Sequence, residues 1–321
     1  MKTFLADNLV EPVASGLLGG ATVDDGPTAE QIAVLQAIVS HLWHRPDIDV
    51  KELTPLDADA LAKITSDEPL RHLLVGILMT LECCRHPETE TQVHQIERYA
   101  NALSISGEPL GVIRTWITDG AVQASADLMR FQKQKEDEAI EPTFLHRTPS
   151  TTEPDPAVRE KILELSDLPK GTLGRSYIDF HEEFGIALPG SGIDATFSDG
   201  VLISHDLNHV ISGYSPTGEG EVALGAMEFA MNDSEGTWSR FLASLAIHEA
   251  GMSRFEDFKA KEATLSRPGA ADLLGEAFER GNLCTSDFSR IDHLSMAAWT
   301  MEEVREHFGV VPLARGDWLR S

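Results

Sequence analysis

The sequence predicts an all-α protein built as two helical domains joined by a Pro/Thr-rich linker. Three observations carry that reading. Apolar residues return at three- and four-residue steps along most of the chain, and alternating strand patterns are scarce. The stretch QKQKEDEAIEPTFLHRTPSTTEPDP, residues 132–156, cannot bury enough apolar surface to fold alone. The domains are therefore placed at 1–131 and 157–321, with the linker between them. A length of 321 residues exceeds one average domain. A hydrophobic content of 42% with 24% charged residues is globular, which excludes a disordered chain, a collagenous repeat and a coiled-coil rod.

In the first half, Thr28 can cap a helix whose apolar positions are Ile32, Leu35, Ile38, Val39 and Leu42. Further helices are expected at about 56–64, 67–84, 90–104 and 108–130. Pro69 falls in a first turn, where its missing N–H costs nothing. In the second half helices are expected at about 157–165, 172–184, 201–212, 219–231, 238–260, 270–279, 287–297 and 301–308. Gly185–Gly200 reads as a loop, with at most a short strand near Thr196 and Phe197.

Acidic residues outnumber basic ones 52 to 26, for a formal charge of −26. That excess repels phosphate backbones and argues against nucleic acid as a partner, while leaving room for a local apolar patch that meets a membrane. Cys83, Cys84 and Cys284 are too few for a disulfide framework, so the chain reads as reduced and intracellular. Met1 to Leu18 fits neither a secretory signal nor an Arg-rich transit peptide. The longest apolar run, Leu73–Leu81, is half a bilayer span and reads as a buried helix. The expected location is cytoplasmic, with peripheral membrane contact at most.

The sharpest local feature is Ser204-His205-Asp206-Leu207-Asn208-His209, followed by a turn containing Gly213, Pro216 and Gly218. On a helix His205 and His209 lie one turn apart, about 6 Å along the axis, and point the same way. Two imidazoles so placed can share one metal ion. Asp206 can reach the same ion or orient an imidazole N–H behind it. Glu221 falls in the first turn of the next helix, which a helical hairpin brings back beside His209. Two His and two carboxylates suit Zn²⁺, and also Fe²⁺ or Mn²⁺. Upstream, LPKGTLGRSYIDF can be a helix start capped by Thr172, or a polar substrate-binding lip in which Arg175 and Tyr177 meet an anionic group. Spacing leaves both open.

The string HDLNHVISGYSPTGEGE has the HDxxH-x11-E pattern of the Coq-four family of ubiquinone (coenzyme Q) biosynthesis proteins, with Gly220 before the Glu. LPKGTLGRSYIDF resembles that family's other shared segment. Arg280-Gly281, Trp299 and Val304-Arg305-Glu306-His307-Phe308-Gly309-Val310-Val311-Pro312 resemble its closing helix and tail. The likeness spans roughly residues 160–315. It implies an α-helical domain in which His205, Asp206, His209 and Glu221 ligate a divalent metal, usually zinc. It implies work on a prenylated quinone precursor or other isoprenoid lipid, alongside other quinone-biosynthesis proteins. The role implied is either scaffold or catalyst of oxidative ring decarboxylation at C1, that is, a lyase. Zinc cannot change redox state, so an oxidative step points to iron, or to zinc as an electrostatic clamp. Many members carry Lys and Trp shortly after the motif Glu; here Val222, Ala223, Leu224, Gly225 and Ala226 stand there. The first half faintly resembles the TerB-like helical domain of tellurite-resistance proteins, with Asp47, Asp49 and Glu52 near its early acidic loop.

Other residues read more plainly. His248-Glu249 is not HExxH and is expected to pack or cap. His181 is expected to be solvated and His293 structural. Asp47, Asp49 and Glu52 form a solvated acidic turn, and Met227, Phe229 and Met231 pack in a core, although Met would also suit a prenyl groove. Two alternatives to a quinone-pathway protein follow from the same residues. His205-Asp206 is an HD pair of the kind used by metal phosphohydrolases, which would need a further His and Asp such as His181 and Asp233. An acidic helical scaffold whose metal merely staples the hairpin is the other.

Overall fold

A computed structural model describes residues 5–87, 89–105, 156–186, 188, 199–232, 235–251 and 263–314. Among them the regular elements are all helical, as the periodicity predicts, apart from one isolated bridge between Thr172 and Thr300. The expected helix at 108–130, the 132–156 linker up to Asp155 and the Thr196–Phe197 strand lie outside the described residues. No helix among the described residues is long and apolar enough to cross a membrane.

Chain contacts define two compact units. The first comprises Met1–Asp137 with Thr217–Asn282, and the second Glu138–Pro216 with Leu283–Ser321.

The first unit is built around helix α1 (Asp7–Ala21), which periodicity did not single out. Pro12 and three glycines lower its helix propensity, yet Val10, Val13, Ala14 and Leu17 are fully buried. The glycines allow close approach: a Cβ at Gly19 would overlap the Leu56 carbonyl. Helix α2 (Ala29–Ala37) opens with a capping box in which Thr28 and Gln31 satisfy each other's backbone N–H groups. It runs into a π-helical turn, Ile38–Leu42. Helices α3 (Ala58–Ile64), α4 (Glu68–Cys83) and α5 (Glu90–Ala102) start at Asp57, Asp67 and Thr89, each accepting a backbone N–H.

Helices α6 (Pro156–Glu164), α7 (Leu173–Phe184) and α8 (Asp199–Ser212) belong to the second unit. Helix α7 begins at its Thr172 cap and ends at Gly185, whose φ of 64° only glycine adopts cheaply. Its first turn is joined to the segment before the last helix: Leu173 N–H donates to Trp299 O, and Gly174 N–H to Ala297 O.

Back in the first unit, α9 (Gly218–Met231) packs along α10 (Glu235–His248), and Phe229, Phe241 and Phe278 form its aromatic core. Met227 and Met231 are buried there, so core packing is their role. Helix α10 stops at His248 instead of continuing to 260. Glu249 turns to bind Leu265 N–H and, through its own carbonyl, Ala263 N–H. Helix α11 (Ala270–Leu283) follows. The expected helix at 287–297 is instead two 3-10 turns, Phe288–Arg290 and His293–Met296. Ile291 is extended between them, which breaks the helical run. Helix α12 (Met301–Phe308) closes the second unit with a Thr300–Glu303 capping box and Gly309 at φ 68°.

Candidate metal centre

The motif histidines sit on the last two turns of α8, and the chain reverses immediately after them. Gly213, at φ 84°, ends the helix, and four residues later Thr217 caps α9 by accepting from Gly220 N–H.

Nε2 of His205 and Nε2 of His209 stand 3.2 Å apart, with ring planes nearly perpendicular. One donor atom from each of His205, His209 and Glu221 lies within 4.8 Å of the other two. Two ligands on one tetrahedral zinc lie about 3.3 Å apart when each bond is about 2.0–2.1 Å, so the imidazole pair fits such an ion. His209 is fully buried, and its Nδ1–H donates to the Tyr214 carbonyl at 3.1 Å. That bond selects the tautomer whose Nε2 presents a lone pair, the usual support for a metal-ligating His. Phe180 stacks on the same ring, with centroids 5.7 Å apart. Soft, borderline imidazole nitrogens and one carboxylate form a donor set for Zn²⁺, Fe²⁺ or Mn²⁺.

Asp206 is not part of that group of three. Its Oδ2 lies 3.1 Å from Nε2 of His181 on α7. The expectation that His181 is solvated is overturned, because the side chain is 3% exposed. It lies four residues after Tyr177, which is also buried, so both occupy the inward face of α7. Its Nδ1–H donates to the Ile186 carbonyl at 3.2 Å. His181 therefore stands beside Asp206 of the HD pair, whereas Asp233 lies outside the described residues.

The α7 segment behaves as a helix start. Thr172 accepts from Arg175 N–H, and Gly171 has φ 82°. The Arg175 guanidinium is held by Asp179 at 2.7–2.8 Å and by the Ser166 carbonyl at 3.2 Å. Tyr177 is fully buried, with its ring 4.6 Å from that of His181. In the first unit, Asp47 is held bidentately by Arg45, and Asp49 caps the turn Val50–Glu52. Glu249 is fully buried with Oε1 3.2 Å from Nε2 of His86, so it packs as expected.

Three supports of α8 carry no local signal in one sequence. Asn208 is held by His293, while Arg305 on α12 donates to the Ile211 and Val210 carbonyls. The Tyr214 carbonyl belongs to the backbone and leaves no mark on residue type. The burial of His181, by contrast, was readable from its position one turn after Tyr177.

No protein-family model matches the chain, and no curated protein matches it.

Proposed function

We propose that this chain binds a divalent metal, zinc first, through His205, His209 and Glu221, and handles a prenylated aromatic precursor of an isoprenoid quinone. The observation that carries the metal part is the convergence of those three donors, with one imidazole already oriented by a backbone carbonyl. The quinone part rests on the HDxxH-x11-E resemblance. Three protein donors suit a working centre better than a structural staple, because a tetrahedral ion then keeps a position for substrate. His205 and Glu221 are half-buried and His209 is buried.

A divalent ion held there would polarise a carboxylate or phenolate oxygen of the ring and stabilise charge developing on it. The protein's own part is orientation and exclusion of water. Tyr214 holds the His209 tautomer, and Phe180 shields that ring. Buried Ile203, Leu207, Val210 and Ile211 make the rest of α8 apolar. A prenylated substrate would be met at a membrane surface, in company with other enzymes of the same synthesis.

Elemental analysis of the purified chain, with mass spectrometry of its lipid extract, tests the reading. The expected result is a retained divalent metal, lost in His205→Ala and His209→Ala, together with an isoprenoid aromatic. Metal without any isoprenoid, from cells that make quinone, would remove the quinone part alone. Absence of metal would remove both.

A further inference from the structure

We propose that His181 and Asp206 form a second cation-binding position, so that the centre takes two divalent ions per chain. The proposal extends the metal reading above and is independent of its quinone part.

The argument begins with the hydrogens of His181. Its Nδ1–H is committed to the Ile186 carbonyl, so the neutral ring turns the lone pair of Nε2 toward Asp206. The side chain is 3% exposed, and Nε2 has no aligned hydrogen-bond partner among the described residues. Its contact with Asp206 Oδ2 is one of distance alone, at 3.1 Å. An imidazolium–carboxylate pair at such a depth would gain from lining up. Charge-assisted N–H···O bonds are nearly linear and about 2.7–2.9 Å long. The observed pair is longer and off-axis.

Two atoms that ligate one ion behave differently. Each aims its lone pair at a third point, and at about 2.0–2.1 Å from the ion they stand roughly 3.0–3.4 Å apart without pointing at each other. The His181–Asp206 geometry is of that kind. The Asp206 carboxylate, 13% exposed and beside a buried lone pair, gains from a positive charge that offsets its partial desolvation. Tyr177 and Phe180 pack against the His181 ring itself, with centroids 4.6 and 5.8 Å away, Phe180 in an edge contact. One imidazole and one carboxylate, with remaining positions open, suit Mn²⁺, Fe²⁺ or Zn²⁺ carried partly by water or substrate oxygens.

The test counts ions. The full chain is stripped of metal, loaded separately with Zn²⁺ and Mn²⁺, desalted and assayed for metal against protein, with calorimetric titration in parallel. The expected stoichiometry is two for the unaltered protein and one for His181→Gln. His205→Ala and His209→Ala should lose the other ion. One ion per chain in the unaltered protein, with none lost in His181→Gln, would overturn the second position and leave the first standing. No ion in any form would overturn both. The count on the unaltered protein decides the matter even if His181→Gln fails to fold, and circular dichroism reports whether it has folded.

Discussion

Nε2–H of His293 donates a hydrogen bond to Oδ1 of Asn208 at 2.9 Å, and both side chains are almost completely buried. Asn208 stands between the two motif histidines in sequence, so this bond anchors the turn of α8 that carries them. Removing the donor leaves a buried amide oxygen unsatisfied, which costs about 1–3 kcal/mol. His293→Phe should therefore lower the unfolding free energy by about that amount in a urea titration. His293→Gln, which keeps a donor, should recover part of it. Unchanged stability in His293→Phe would show that the bond contributes nothing.

The same pair shows why some of the centre could be read from sequence and some could not. His205, His209 and Glu221 lie within 17 residues of one another and are joined by a helix and a short turn. Local geometry therefore decides their meeting, and local geometry is what spacing encodes. His293 is 85 residues from Asn208 and Arg305 lies 94 from Ile211, so only the folded chain brings them together. Helix α1 was hidden for another reason. Its glycines and Pro12 argue against a helix in isolation, while burial of Val10, Val13 and Leu17 supplies the stabilisation that propensity withholds. Helix α10 was read too long because apolar spacing does not reveal that Glu249 leaves the helix to bind Leu265 N–H. The Ile291 break was hidden because an Ile in extended backbone has the same letter as an Ile in a helix.

Cys83, Cys84 and Cys284 are all buried thiols outside any disulfide. Burial pushes the Cys84 thiol well above its ordinary value, and the charges of Glu249 and Cys83 add to the effect. The thiolate is the reactive form, so the native protein should scarcely react with a disulfide reagent at mildly alkaline pH. All three thiols should titrate in guanidinium. Rapid reaction of one thiol in the native state would contradict this burial.

Tyr99 donates its hydroxyl hydrogen to the Leu56 carbonyl, and burial raises its pKa to about 12. An unfolded tyrosine ionises near pH 10. Its contribution to stability is therefore fully present below about pH 10. As pH rises from there toward 12 the unfolded chain releases the proton first, binds fewer protons and is favoured. Denaturant midpoints should fall across that window. Tyr99→Phe should flatten the fall while costing about 1 kcal/mol at neutral pH through the lost hydrogen bond. An equally steep fall in Tyr99→Phe would assign the alkaline loss to other groups.

Arg305 reaches from α12 to the end of α8, with Nε–H donating to Ile211 O at 2.9 Å and an Nη2 hydrogen to Val210 O at 3.2 Å. These carbonyls belong to the last turn of α8, where the helix has no further N–H to offer. The guanidinium also opposes the negative end of the helix dipole. Arg305→Ala should cost about 1–2 kcal/mol of unfolding free energy and speed amide exchange in the final turn of α8. That turn carries His209, so metal affinity of the His205–His209–Glu221 group should fall about tenfold, the usual scale for losing a support behind a ligand. Arg305→Lys keeps the charge but not the two-pronged geometry and should recover only part of both losses. Weaker metal binding with unchanged exchange in α8 would mean that Arg305 acts through its charge alone, and wild-type behaviour in both would remove it from the support of the centre.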